Sequence, residues 1–321
     1  MDMIYTNAQM EDMGVLLDYE IDMAFGDDEN NFECTVSSLA HCCEAGSFLY
    51  MEGTEYGGII DSIESDSANN EVTYLGRTWH GMLNSKVLEP DSGADYLVCN
   101  GEANAVISTL LTRMGLSGLF EASPDDSVLT ISNYKMNRYI SGYDGIKKML
   151  ASIGGKLLLS FQDGKVVASA VPICDYTQDD EFDSDLIEFV IRKGYKKTNH
   201  LICLGKGDLA ERTVLHLYAD EAGNISTTQT FTGLDEIAAV YDYSAVESVE
   251  ELERNGREKL KELWESDSVK VDFDGSEDSY DIGDVVGALD NVTKTSVSAT
   301  ITKKIVTVKN GKAIISYKVG E

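Results

Sequence analysis

Residues 200–211, HLICLGKGDLAE, place Gly205, Gly207 and Ala210 at the G-x-G-x-x-G/A spacing that cradles a pyrophosphate in dinucleotide-binding folds. Asp220 follows where an acid that binds a ribose would be sought. That chemistry needs a helix directly after the glycines, because its first amides and its dipole hold the phosphate. Only DLAER separates Gly207 from TVLHLYAD, which alternates and is β-branched like a strand. Five residues cannot form a parallel crossover, which needs about a dozen. The segment predicts two neighbouring antiparallel strands joined by GKGDLAER, with no cofactor.

Other residues of chemical type are weighed the same way. His41-Cys42-Cys43-Glu44 has ligand types suited to zinc, but adjacent cysteines point apart and no second cluster stands at finger-like spacing. A partly buried thiol pair at a turn is the expectation. VDFDGSEDSYD sets Asp272, Asp274, Ser276 and Asp278 at alternate positions, as a calcium loop would. Its glycine is misplaced for an EF-hand and no Glu closes the loop, so Asp272, Asp274 and Asp278 make at most a weak calcium site in a solvated loop. GDDEN at 26–30 reads as a second solvated acidic loop. Four histidines (His41, His80, His200, His216) and no G-x-S-x-G elbow leave a thin inventory for nucleophilic catalysis. His200 and His216 lie in apolar strands, where a satisfied core or barrel histidine is the common role. Arg77-Thr78-Trp79-His80 is a polar-aromatic cluster near a strand end, explained by packing or an interface contact.

The elements that must position these groups are mostly strands. Residues 14–90 alternate short apolar runs with Gly, Asn and Asp punctuation, and Asn69-Asn70 marks a hairpin turn. This is the pattern of a barrel or sandwich. In NGEANAVISTLLTRMGL, Ala103, Val106, Ile107, Leu110, Leu111 and Met114 recur at helical spacing before Gly115. YDGIKKMLASIGG repeats the device, with Ile146, Met149, Leu150 and Ile153 ahead of Gly154. KLLLSFQDGKVVASAV then turns on Asp163-Gly164. After the acidic link at 175–185 come more strands, and Ser248 with Glu251 caps a long helix whose face is Val249, Leu252, Gly256, Leu260 and Leu263. Strands close the chain, the last two joined by Asn310-Gly311. The expected class is α+β, mostly β, in three parts: 1–90 a first β-barrel domain, 91–178 an α+β insertion, and 179–321 a second β-rich barrel domain with helix 246–266.

Composition bounds the partners. The 321 residues are 43% hydrophobic, enough for globular cores, and 26 Lys+Arg against 56 Asp+Glu give a net charge of −30. Such a surface repels nucleic acid and anionic membranes. MDMIYTNAQMEDMG lacks a basic n-region and an apolar h-region, and no run approaches the length of a membrane span. Synthesis and retention in a cytoplasm, or release without a leader, is expected, with the six cysteines as reduced thiols.

Three stretches together resemble one family: 53–88, 199–244 and 280–320. They are similar to the baseplate hub proteins of contractile-tailed phages, prophages and phage-tail-like bacteriocins, of the PBSX-like XkdQ/YqbQ type, and the middle stretch to a siphovirus tail-hub-like family. The resemblance implies two related β-barrel tube-like domains with smaller insertions in each chain. It implies a homotrimeric ring that joins a hexameric tail tube to a threefold spike and lines the central channel, beside tape-measure and other baseplate subunits. It supplies no catalytic residue and no membrane insertion, and no fused lysozyme or peptidase module is evident. The expected function is structural, assembled in a bacterial cytoplasm and carried in a virion tail or released particle. Two other readings stay open: a carboxylate-dependent hydrolase of cell-wall polymer at the tail tip, and a calcium-binding adhesin-like module.

Overall fold

The computed structural model describes residues 2–177, 181–183, 190–191, 197–244, 246, 248–265, 269–270, 272–274, 280–290, 295–309 and 312–320. In chain order the first part holds β1 (Ile4–Thr6), β2 (Asp12–Val15), β3 (Tyr19–Gly26), β4 (Asn31–Ser37), β5 (Phe48–Tyr50), β6 (Gly57–Asp66), β7 (Glu71–Thr78) and α1 (Trp79–Asn84). Next come β8 (Val87–Leu88), β9 (Val98–Glu102), α2 (Ala103–Arg113), β10 (Phe120–Ala122), β11 (Thr130–Lys135), β12 (Ile140–Ser141), α3 (Gly142–Ala151), β13 (Gly155–Gln162) and β14 (Lys165–Pro172). The remainder comprises β15 (Glu181–Asp183), β16 (Val190–Ile191), β17 (His200–Leu204), β18 (Val214–Ala219), β19 (Ile225–Ser226), β20 (Ala238–Asp242), α4 (Val249–Glu265), β21 (Val269–Lys270), β22 (Asp272–Asp274), β23 (Val285–Asp290), β24 (Thr295–Lys309) and β25 (Lys312–Gly320). Strands dominate, as the sequence predicts.

The chain divides into two units, Met1–Phe189 with Val271–Gly320, and Val190–Lys270. The sequence reading keeps everything after 178 together; here the C-terminal strands instead join the N-terminal sheet. The joint is β24, long enough to change neighbours. Its first residues pair with β23 (Thr300 with Val285), and Lys303–Val308 pair antiparallel with β3. The resulting sheet runs β15-β23-β24-β3-β4-β7-β6-β5-β1-β2, with β25 on β24 and β22 on β25. Among the described residues no ladder links its two ends. A bulge between Ile301 and Lys303 breaks the alternation of β24. Lys303 and Lys304 are consequently both buried. The core of this sheet is built from Phe25, Phe32, Cys34, Tyr74, Val306 and Val308.

The hairpin of β6 and β7 turns with Asn70 at φ 57°, and that of β13 and β14 with Asp163 at φ 50° and Gly164 at φ 80°. All three adopt the left-handed conformation that Asn, Asp and Gly tolerate. Helix α2 ends where predicted. Gly115 sits at φ 72°, its N–H donates to the Thr112 carbonyl at 3.0 Å, and the Leu116 N–H donates to the Leu111 carbonyl at 3.0 Å. This is the paired bonding of a Schellman stop. Helices α2 and α3 pack on the sheet of β10, β14 and β13, and Ile107, Leu111, Phe120, Ile146, Leu150, Phe161 and Val166 fill that core.

The start of α2 carries a pH-dependent element. Glu102 is its N-cap and accepts from the Asn104 and Ala105 N–H groups at 3.0 and 2.8 Å; the Ser127 hydroxyl and N–H also donate to it. Burial opposes its charge, but the Ser127 hydroxyl and these amides outweigh burial and hold the carboxyl down at about 2. A depressed acid stabilises the fold above its unfolded pKa, near the ordinary glutamate range, and that contribution fades as pH falls through the folded value. Replacing Glu102 with alanine is expected to cost about 1–2 kcal/mol at neutral pH. The difference from the parent chain should shrink between about pH 4.5 and pH 2, read by denaturant titration at each pH. A pH-independent gap would contradict the assignment.

In the second unit, β19-β18-β17-β20 form a sheet with β17 and β18 antiparallel and β17 and β20 parallel. One face buries Leu201, Cys203, Leu217 and Ala219 against Leu252 and Leu260 of α4. Gly256 allows the close approach, since a Cβ there would lie 2.6 Å from Cys203 Sγ. The cap is as predicted, with the Glu251 N–H donating to Ser248 Oγ at 3.1 Å. Val249, expected on the inner face, is 50% exposed. It lies in the first turn, one residue past the cap.

Candidate functional site

The glycine segment connects β17 to β18 and builds no phosphate cradle. The Gly205 N–H donates to the Thr213 carbonyl at 2.8 Å, and the Thr213 N–H returns to the Lys206 carbonyl at 2.9 Å. The first amide of a would-be cradle is therefore used to extend the hairpin. Gly207 takes φ 110°, and only a single 3-10 turn, Leu209–Glu211, follows it. Asp220 caps its own turn, accepting from the Ala222 and Asn224 N–H groups at 2.9 Å each.

The His41–Glu44 turn is organised by Tyr74. Its hydroxyl accepts from the Cys42 and Cys43 N–H groups at 3.1 and 3.3 Å, which leaves its proton for His41 Nδ1 at 3.0 Å. The two sulfurs lie 3.8 Å apart, with Cys42 exposed and Cys43 buried. Burial pushes the Cys43 thiol up, and that of Cys34 up to about 12, so both stay protonated and unreactive. Among the described residues, no group of three or more His, Cys, Asp or Glu is placed to hold a metal. Of the calcium candidates, Asp272 and Asp274 lie in β22 opposite Lys318 and Ser316, while Ser276 and Asp278 fall outside the described residues.

The acidic loop at 26–30 is not simply solvated, contrary to expectation. Asp27 pairs with Lys147 and Glu29 with Lys303. The buried Asn30 side chain closes the turn, accepting from the Gly26 N–H at 2.9 Å and donating to its carbonyl at 2.7 Å. The Arg77–His80 cluster straddles a strand-to-helix junction that the sequence reading did not detect. Arg77 forks onto Asp61 at 2.8 Å through both Nε and Nη2, Thr78 caps α1, and Trp79 and His80 point inward. His80 sits between Phe25 and Tyr143, centroids 5.1 and 5.3 Å away. Burial pushes it down to about 4, so at neutral pH it is uncharged and its 3.7 Å approach to Glu55 is no ion pair.

Among the described residues, the buried Lys156 and Lys304 each hold a charge cluster that no motif announced. Lys156 Nζ donates to Asp281 Oδ2 at 2.8 Å and to both oxygens of Asp284 at 2.7 and 2.8 Å. Burial alone would lower this ammonium, but the two aspartates outweigh it and hold the group above its usual range. Lys304 Nζ donates to Glu55 Oε1 at 2.7 Å, and lies over the rings of Tyr56 and Tyr317. These pairs join β13 and β24 to distant parts of the first unit. Both cations are satisfied by these carboxylates. In the second unit a cleft of about 590 Å³ is lined by Lys197, Arg257, Lys261 and Trp264. Arg257 is committed there to Glu253 at 2.7 Å and the Ile225 carbonyl at 2.6 Å.

The fold defined by this sheet, its helical insertion and the second unit is one found in phage tail proteins. A tail protein from Neisseria meningitidis MC58 aligns over 100% of this chain and 96% of its own, with TM-score 0.55 and 11% identity. The 43 kDa tail protein of prophage MuSo2 from Shewanella oneidensis aligns over 99% and 98%, with TM-score 0.59 and 9% identity. Prophage tail protein gp18 from Listeria monocytogenes EGD-e aligns over 99% and 94%, with TM-score 0.52 and 12% identity. No protein-family model matches the sequence, and no curated protein matches it.

Proposed function

We propose that this chain is a structural, non-enzymatic subunit of a phage tail or tail-like particle, and specifically its baseplate hub. The observation that carries the reading is the end-to-end likeness to three tail proteins, over at least 94% of each. Charge clusters committed to holding strands together support a building element over a catalyst. In the finer reading, of the XkdQ/YqbQ type, two tube-like β domains per chain close a homotrimeric ring. The ring joins a contractile tail's hexameric tube to its threefold spike and contacts tape-measure and other baseplate subunits. A closed ring also covers strand edges that a lone subunit leaves open. The net charge of −30 suits a bore through which a polyanion must pass without sticking.

Light scattering on the purified chain, alone and with candidate tube and spike proteins, tests this. A trimer, or a stable complex with both partners at three hub chains per spike trimer, is expected. A monomer that ignores both partners would overturn the hub assignment.

A further inference from the structure

On the face of the second unit's sheet that α4 does not cover, β17 and β18 place two histidines diagonally. His200 registers with Tyr218, and His216 with Ile202. His200 Nε2 and His216 Nδ1 face each other at 2.8 Å. The other nitrogen of His200, Nδ1, lies 2.7 Å from Glu236 Oε1, which also accepts from Gln229 Nε2 at 3.1 Å. The Tyr218 ring stacks on His200 with centroids 4.4 Å apart. His200 is buried, 7% exposed, while His216 is open to solvent.

This arrangement has a direction. The Glu236 carboxylate accepts a hydrogen bond from His200 Nδ1–H, which leaves the Nε2 lone pair of His200 facing His216. A carboxylate behind an imidazole is the usual support of a metal-binding histidine, because it fixes the ring and raises its basicity. In the hydrogen-bonded state His216 Nδ1 carries the proton aimed at that lone pair. When His216 moves its proton to Nε2, with no net proton lost, both facing nitrogens carry lone pairs, and a turn of the rings out of line brings the two onto one ion. The geometry points to a surface site for a divalent transition ion of the zinc type, held by His200 Nε2 and His216 Nδ1 with water completing the shell. Metal–nitrogen bonds of about 2.0–2.1 Å require the two nitrogens to separate to about 3.0–3.4 Å. His216 is at the surface and can swing by those few tenths. Imidazole selects zinc, nickel or copper, whereas calcium and magnesium want oxygen ligands. The site is independent of the tail reading and uses none of the motifs that the sequence offered for metals.

Calorimetric titration of the full chain with zinc chloride near neutral pH tests it. The tightest zinc site is expected to lose at least about tenfold in affinity in His216→Ala. Glu236→Gln, which leaves both ligands in place, should lose about 10–100-fold. His41→Ala should bind as the parent does, and calcium chloride should not compete. Zinc binding that His216→Ala leaves undiminished would assign the heat to the acidic surface and overturn the site. So would the absence of binding at millimolar zinc. Because His216 is exposed, its variant is expected to keep the parent's circular dichroism spectrum, and that spectrum verifies that any lost affinity is local.

Discussion

Asp284→Ala is expected to lower the stability of the first unit by about 3–5 kcal/mol, a fall of roughly 6–20 °C in its melting transition. Asp284 is fully buried and accepts from Lys156 Nζ, from the Cys174 N–H at 2.9 Å and from the Asp281 N–H at 3.0 Å. Alanine removes all of these partners at once, and leaves a buried ammonium with only the partly exposed Asp281. The reciprocal Lys156→Met should cost less, because Asp284 keeps its two backbone donors and methionine fills the stem's volume. Guanidinium unfolding followed through the fluorescence of the buried Trp79, in a Trp264→Phe background, reads both variants. A change of less than about 1 kcal/mol in Asp284→Ala would mean that the cluster does not hold the fold.

Trp79→Ala is the second large effect, with an expected loss of about 3–5 kcal/mol. The indole is 0% exposed and stacks on Phe161 at 5.5 Å and on Phe48 at 6.2 Å. Gly57 lies so close that a Cβ there would sit 2.7 Å from the ring. Trp79 therefore binds the underside of β5–β7 to the β13–β14 hairpin of the insertion, and truncation opens a cavity that neither rigid sheet can fill. Trp79→Phe keeps one ring of the stack and should recover more than half of the loss. Thermal unfolding followed by far-ultraviolet circular dichroism separates these outcomes, and equal stability of parent and alanine variant would refute the role.

The parts of the fold readable from sequence are those fixed within a few residues. Asn70, Asp163-Gly164, Gly115 and the Ser248–Glu251 cap each set a local backbone geometry, and each element they bound is where it was expected. The antiparallel pairing of β17 and β18 was readable too, because five residues between Gly207 and the next strand leave no room for a crossover helix. Helix α1 was missed because its six residues are too few for periodicity to register. The role of GDDEN was missed because its partners, Lys147 and Lys303, lie far along the chain.

What the sequence determined by itself is a mostly β chain with named turns and caps and a strongly acidic composition. Those follow from short-range sterics and from composition, which do not depend on where distant segments go. Only the tertiary structure decided that β24 passes from β23 to β3 along one edge while keeping β25, that Lys156 meets Asp284, and that His216 faces His200 instead of its opposite partner Ile202. Each of these is a choice of register or neighbour between segments far apart in sequence or slid by two residues. Several alternatives satisfy the same alternation of apolar residues. The whole core must close before one of them buries its charges in pairs and wins.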